Sequence, residues 1–292
     1  MTRAESTPHS AQAQAWLTAF PDFLKAQPAD PDWRNFREKA LEHFEHQGLP
    51  HRKRAGWRKT PLTSFEKMGP FAPALSVRQP TPDLQNISHP HPEWPRAVFI
   101  DGTLDPASSS LPSSENGLEI LDLDQAFAEE SSRTSLLTRM GALANPESDA
   151  LTALSSAFMQ GGSLVHFRKN AALDQPIHFV FMWTERGTLR CPRVVVISEP
   201  GSQACALVEH TSHADHAGLI NGVTEIFLEE NAQLDWVTVE NLSSSALHVS
   251  NLQAQVKRDG RLGLHHLSLA GHFIRNNIGV DLIDPGAQIE LN

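Results

Sequence analysis

Apolar positions change their spacing along this chain, and the change divides it. From Ala11 to Ala26 the residues Trp16, Leu17, Phe20, Phe23 and Leu24 recur at three and four, which is one face of a helix. From Asp32 to Gln47 the residues Trp33, Phe36, Ala40, Leu41 and Phe44 do the same. Asp30-Pro31 supplies a start signal for this second helix and Gly48 a stop. Two amphipathic helices packed as a hairpin are predicted. Short strands are predicted at Ala97–Ile100, before the Asp101-Gly102 turn, and at Leu118–Leu121. Helices follow over Asp122–Met140 and Asp149–Met159.

From Gly161 onward the helical period disappears. Alternating or continuous apolar runs lie between Gly, Pro, Asn and Asp. They predict strands at Ser163–Phe167, Ile177–Trp183, Arg193–Ile197, Ala204–Val208, Glu225–Leu228, Gln233–Val239, Ala246–Val256, Leu262–Leu269 and Gln288–Leu291. The pattern also repeats. A turn residue followed by alternation occurs at Gly201, Asn231, Gly260 and Gly286, at intervals of 30, 29 and 26 residues. A β-solenoid gives such a period, because each coil is too small to bury its own apolar face and must share a core with its neighbours. A β-sandwich with loosely similar hairpins is the other architecture this pattern allows. The organisation expected is a helical region with a proline-rich linker over residues 1–95, a mixed connecting region over 96–160 and a β core over 161–292.

Composition narrows the function. Hydrophobic residues make up 40% and charged residues 20% of the 292, so the chain is globular rather than disordered. A net charge of -10 makes it a poor partner for nucleic acid, which needs clustered Lys and Arg. No stretch has the length and apolarity of a membrane span, and Met1–Ser10 lacks the pattern of a secretion signal. Two cysteines, Cys191 and Cys205, are too few for a disulfide framework and suit a reducing compartment. A cytoplasmic protein is expected.

Several clusters are candidates for chemistry. Glu209-His210-Thr211-Ser212-His213-Ala214-Asp215-His216 places three histidines at intervals of three. Imidazole with carboxylate suits Zn or Fe(II), so His210, His213 and His216 are the candidate metal ligands. Neither a strand nor a helix keeps that spacing on one face, so such a site requires a loop. The competing expectation is a solvated loop between strands. His265 and His266 point to opposite faces if Leu262–Leu269 is a strand, one inward and one outward. The thiols read as a small buried hydrophobe and a turn residue rather than cluster ligands. Glu225, Glu229, Glu230, Asp235 and Glu240 read as outward-facing charges, although a carboxylate pair among them would suit glycoside chemistry. Phosphate-loop, dinucleotide and nucleophile-elbow motifs are missing from the sequence. A run of five basic residues from Arg52 to Lys59, interrupted by Trp57, reads as an anion or nucleic-acid patch or, in a chain of net charge -10, as a solvated loop.

The chain resembles the SufB/SufD family of iron–sulfur cluster assembly proteins, the SufD branch in particular. Residues 193–210 (Arg-Val-Val-Val-Ile-Ser-Glu-Pro-Gly-Ser-Gln-Ala-Cys-Ala-Leu-Val-Glu-His), 221–236 (Asn-Gly-Val-Thr-Glu-Ile-Phe-Leu-Glu-Glu-Asn-Ala-Gln-Leu-Asp-Trp) and 285–292 carry the likeness. Gly48-Leu49-Pro50 with Trp57-Arg58-Lys59-Thr60, and then Val98-Phe99-Ile100-Asp101-Gly102, agree in order.

The resemblance implies a mainly β fold: a right-handed parallel β-helix behind an α-helical N-terminal region. It implies a non-catalytic scaffold subunit that pairs with a SufB-like paralogue and a SufC-like ATPase. No stably bound cofactor is implied; iron or an iron–sulfur cluster passes only transiently through the full complex. Family members continue well beyond the length of this chain, so a C-terminally shortened protein is expected, one that binds SufC poorly and whose open β-helix end leaves self-association an open alternative. Two enzyme readings compete: a carbohydrate-acting β-helix enzyme and a cupin-like metal enzyme built on a β-barrel.

Overall fold

The computed structural model describes residues 10–51, 54–60, 62, 67–75, 91–111, 117–213 and 216–292. Most of the proline-rich stretch and part of the basic run lie outside these residues, so the linker expected there is not described.

Helix α1 (Ala11–Lys25) starts where the Ser10 side chain accepts a hydrogen bond from the Ala13 amide. Helix α2 (Pro31–Gln47) starts on Asp30, which accepts from the Asp32 and Trp33 amides, and ends on Gly48 at φ 61°. The long helix expected over Asp122–Met140 is two: α3 (Leu123–Ala128) and α4 (Glu130–Arg139). Glu129 adopts an extended backbone between them, at φ -95° and ψ 125°. A short helix α5 (Ala150–Ala157) is capped by Asp149 and buried along its whole length.

Among the described residues, fifteen strands run between and after these helices. They are β1 (Ala72–Pro73), β2 (Arg96–Ile100), β3 (Thr103–Leu104), β4 (Leu118–Asp122), β5 (Gly162–Phe167), β6 (Ile177–Trp183), β7 (Thr188–Arg190) and β8 (Arg193–Ser198). The rest are β9 (Gln203–Ser212), β10 (Leu219–Leu228), β11 (Gln233–Asn241), β12 (Leu247–Val256), β13 (Arg261–Ala270), β14 (Phe273–Leu282) and β15 (Gln288–Leu291). From β8 onward successive strands alternate between two sheets. One stacks β8, β10, β12 and β14; the other stacks β6, β9, β11, β13 and β15. Every pairing within these stacks is parallel. This is a parallel β-helix, and the sandwich alternative is excluded. Registers advance by one coil: Phe179 pairs with Val208, Val208 with Thr238, and Thr238 with His266.

The repeating turns sit at one corner of the rod. Asn170, Gly201, Asn231, Asp259 and Gly286 all have φ between 54° and 78°. Asp259, not Gly260, takes the left-handed position in the third repeat. At Gly201, φ 73° favours glycine, and a Cβ there would stand 2.5 Å from Asn170 Oδ1, so the Asn170 side chain would have to move to admit one.

The two sheets meet different surroundings, which explains their different sequence textures. The β8 sheet is covered outside by α2, α3, α4 and α5, where Trp33, Phe127, Met159, Val195, Ile197 and Phe227 form one buried cluster. Strand β8 is therefore buried on both faces, and Arg193-Val-Val-Val-Ile reads as a continuous run. The β9 sheet is partly bare outside, and β11 alternates between exposed and buried positions. Inside, Val208, Leu234, Trp236, Leu252, Leu262 and Leu264 share the rod's core.

Four strands escape the sequence pattern: the two-residue β1 and β3, and β7 and β14. The inward row of β14 is Ile274, Asn276, Ile278 and Val280, so a polar residue breaks its alternation. Glu225 and Glu240 are also not the surface charges expected: Glu240 faces into the rod, and Glu225 faces outward but lies beneath the chain between α4 and α5. Both are fully buried.

Candidate functional site

One column of side chains crosses the inside of the rod. Phe99, Phe181, His210, Glu240 and Ser268 stand in register on β2, β6, β9, β11 and β13. Its lower part is aromatic. Phe99 stacks on Phe181 at 4.7 Å, and Phe181 on the His210 ring at 5.0 Å and 13°. These distances match the strand spacing of about 4.8 Å. One coil further on, the column turns polar.

Glu240 is the centre of the polar part. Ser268 Oγ donates to Glu240 Oε2 at 2.5 Å, and Asn276 Nδ2 donates to the same oxygen at 2.9 Å. His248 Nδ1, arriving on β12 from the facing sheet, lies 2.7 Å from Glu240 Oε1, close but not aligned as a full hydrogen bond. The His248 and His210 rings are 4.8 Å apart. His266, on β13 beside Thr238, completes the group.

Burial sets the charge states. It would raise the Glu240 carboxyl, but His248, Ser268 and Asn276 outweigh it and bring the pKa down to about 2. Burial and then His248 push the His210 imidazole down to about 3, against the pull of Glu240. His266 is lowered first by burial. The cluster is thus an ionised carboxylate among imidazoles held neutral at His210 and His266. A cavity of about 30 Å³ opens beside them.

The sequence singled out His210, and the structure gives it different partners. Strand β9 runs through Ser212, so the segment is not a solvated loop up to that point; its alternation turns His210 inward. His213 and His216 follow at the next corner, where the His216 amide donates to the His213 carbonyl. His216 is 1% exposed, and its carbonyl accepts from Ser243 Oγ. Ala214 and Asp215 lie outside the described residues. Among the described residues no group of three His, Cys, Asp or Glu side chains is placed to hold a metal ion. His266 faces inward and His265 outward, as alternation requires; Asn292 Nδ2 lies 3.2 Å from His265 Nδ1. Sequence reasoning missed His248 and Glu240 as partners. Strand alternation gives the facing of each residue, but which residues of different coils meet depends on the register.

A second buried polar group joins the helical region to the rod. Arg193 Nη2 and Nε donate to Glu225 Oε2 at 2.6 and 3.0 Å, with both side chains 0% exposed. Glu225 also accepts from the amides of Gly141, Leu143 and Ala144. Arg193 Nη1 donates to Ser156 on α5. Nearby, Asn221 Nδ2 donates to the Leu151 carbonyl and Ser155 Oγ to the Asn221 carbonyl. The early basic segment docks as well. Arg275 stands 4.0 Å over the Trp57 ring and donates to Thr60 Oγ1 and the Gly56 carbonyl.

The thiols differ in setting. Cys191 is fully buried, and burial drives its pKa far above the ordinary range. Cys205 is half-buried and also raised, first by burial and then by Asp235. Among the described residues no helix is long and apolar enough to cross a membrane.

Comparison with known proteins finds two family matches in tandem. Residues 22–179 match the SufBD protein N-terminal region, and residues 181–292 match the SufBD core domain of SUF-system FeS cluster assembly. A SufBD family iron–sulfur cluster assembly protein of Synechocystis is 23% identical over 254 residues, covering 84% of this chain and 55% of its own length. The iron–sulfur cluster assembly protein SufD of Bacillus subtilis is 23% identical over 267 residues, covering 84% and 58%. A Staphylococcus aureus SufBD family protein matches 51% of the chain at 23% identity. The chain spans about half the length of the first two relatives.

Proposed function

The chain belongs to the SufBD family of iron–sulfur cluster assembly proteins, and from that premise we propose that it is a non-catalytic scaffold subunit pairing with a SufB-like paralogue and a SufC-like ATPase. The observation that carries this reading is the match of both family regions, in order, onto a helical unit anchored to a parallel β-helix. A β-helix is stiff because each coil hydrogen-bonds to the next along its whole length. Its half-bare β9 sheet leaves a flat surface for another protein. Apart from a hollow of about 30 Å³, too small for an organic substrate, the interior is filled by side chains, which supports a binding role over a cupin-like one. Iron, or a nascent cluster, is then cargo of the assembled complex rather than a resident of this chain.

The test is co-expression of the chain with a tagged SufB-like protein, and separately with a tagged SufC-like ATPase, followed by affinity purification and iron analysis. Retention by the SufB-like protein, with the chain itself free of stoichiometric iron, is the expected result. Retention by neither partner would overturn the scaffold reading.

A further inference from the structure

The interior of the rod is not packed solid at the histidine cluster. The cavity of about 30 Å³ has apolar walls at Phe181, Val208 and Trp236 and polar walls at Thr238, Ser250 and the three imidazoles. A water needs roughly 10–15 Å³ and two to four polar partners. The volume and the lining both meet that requirement.

The imidazoles supply the second observation. His210 Nδ1 and both ring nitrogens of His266 are buried without a hydrogen-bond partner. Buried polar atoms are rarely left so, because each loses its hydration and gains nothing in return. These atoms belong to neutral rings, each offering one donor and one acceptor. Thr238 and Ser250 line the same space, and a hydroxyl has the same dual capacity. An apolar cavity would stay dry; this one has unsatisfied nitrogens at its edge.

We propose that the hollow is a hydrated site, in which one or two ordered waters bridge His210 and His266 to the Thr238 and Ser250 hydroxyls. The waters continue along the core of the rod the polar row that Ser268, Asn276 and Glu240 begin. They also explain how a β-helix carries three histidines on interior positions without a protein partner for each.

A crystal structure of the chain, at a resolution that shows buried waters elsewhere in the molecule, tests this directly. Peaks in the hollow within hydrogen-bond distance of His210 Nδ1 or a His266 ring nitrogen are expected. An empty or collapsed hollow in the same map would overturn the proposal. In solution, water-relaxation dispersion counts long-lived internal waters. The His266→Leu variant, which fills space and removes both orphan nitrogens, should lower that count by one or two. An unchanged count from a folded variant would also overturn it.

Discussion

Arg193 and Glu225 form an ion pair that water does not reach: Nη2 lies 2.6 Å from Oε2, and neither side chain is exposed. The three amides of residues 141–144 that also point at Glu225 make the pair a clamp on the chain between α4 and α5. Removing one partner leaves an uncompensated buried charge, which costs about 3–5 kcal/mol. Glu225→Ala should therefore lower the urea midpoint sharply, and should expose residues 141–144 to protease first. A midpoint within error of the parent would contradict the clamp.

Trp57 and Arg275 join the basic segment to β14. A cation that is still partly hydrated, over a buried ring such as Trp57, contributes about 1–2 kcal/mol. A double-mutant cycle with Trp57→Leu and Arg275→Leu, read by thermal unfolding, should return a coupling of that size. Strict additivity would show that the contact is geometric only.

Acid should destabilise the rod in two stages. His210 and His266 titrate lower in the folded chain than the ordinary histidine value of 6.5. The unfolded chain therefore takes up protons first, and stability falls as pH drops below about 6.5. Glu240 is lowered as well, to about 2. Its contribution is present above the usual carboxylate range and is lost as pH falls from about 4.5. In the His210→Phe variant, which extends the aromatic column by one coil, the first stage should shrink. Denaturant midpoints measured from pH 7 to pH 3 check this, and identical profiles for parent and variant would refute it.

The two thiols should separate kinetically. A maleimide or disulfide reagent should modify Cys205 slowly in the native chain and Cys191 only on unfolding, because the thiolate is the reactive form and both settings disfavour it. Modification of Cys191 in the folded protein, located by peptide mass, would mean that the interface under α5 opens readily.

Local signals carried most of the fold. Trp16, Phe20 and Phe23 show helical spacing, and Asp30-Pro31 fixes the start of α2 within a residue. The period of Gly201, Asn231 and Gly286 pointed to stacked coils. What failed were positions where tertiary structure reverses a local preference. Glu129 interrupts an otherwise helical pattern. Asn276 makes β14 look irregular because its partner, Glu240, is 36 residues away. Glu225 and Glu240 look like surface charges because nothing nearby in sequence reveals Arg193 or His248. The site was half legible: alternation turns His210 inward, but His213 and His216, its expected companions, occupy the corner beyond the strand.

The left-handed corner residues have a consequence for how such a chain can change length. Asn170, Gly201, Asn231, Asp259 and Gly286 lie on one edge, and neighbouring turns are tied by backbone bonds such as that from the Gly201 amide to the Glu230 carbonyl. A single inserted residue within a strand would turn every later side chain to the wrong face. A whole inserted coil would keep all faces and shift whatever lies beyond it along the axis by about 4.8 Å. The molecule is in this sense a graduated rod, whose reach is adjustable only in whole divisions.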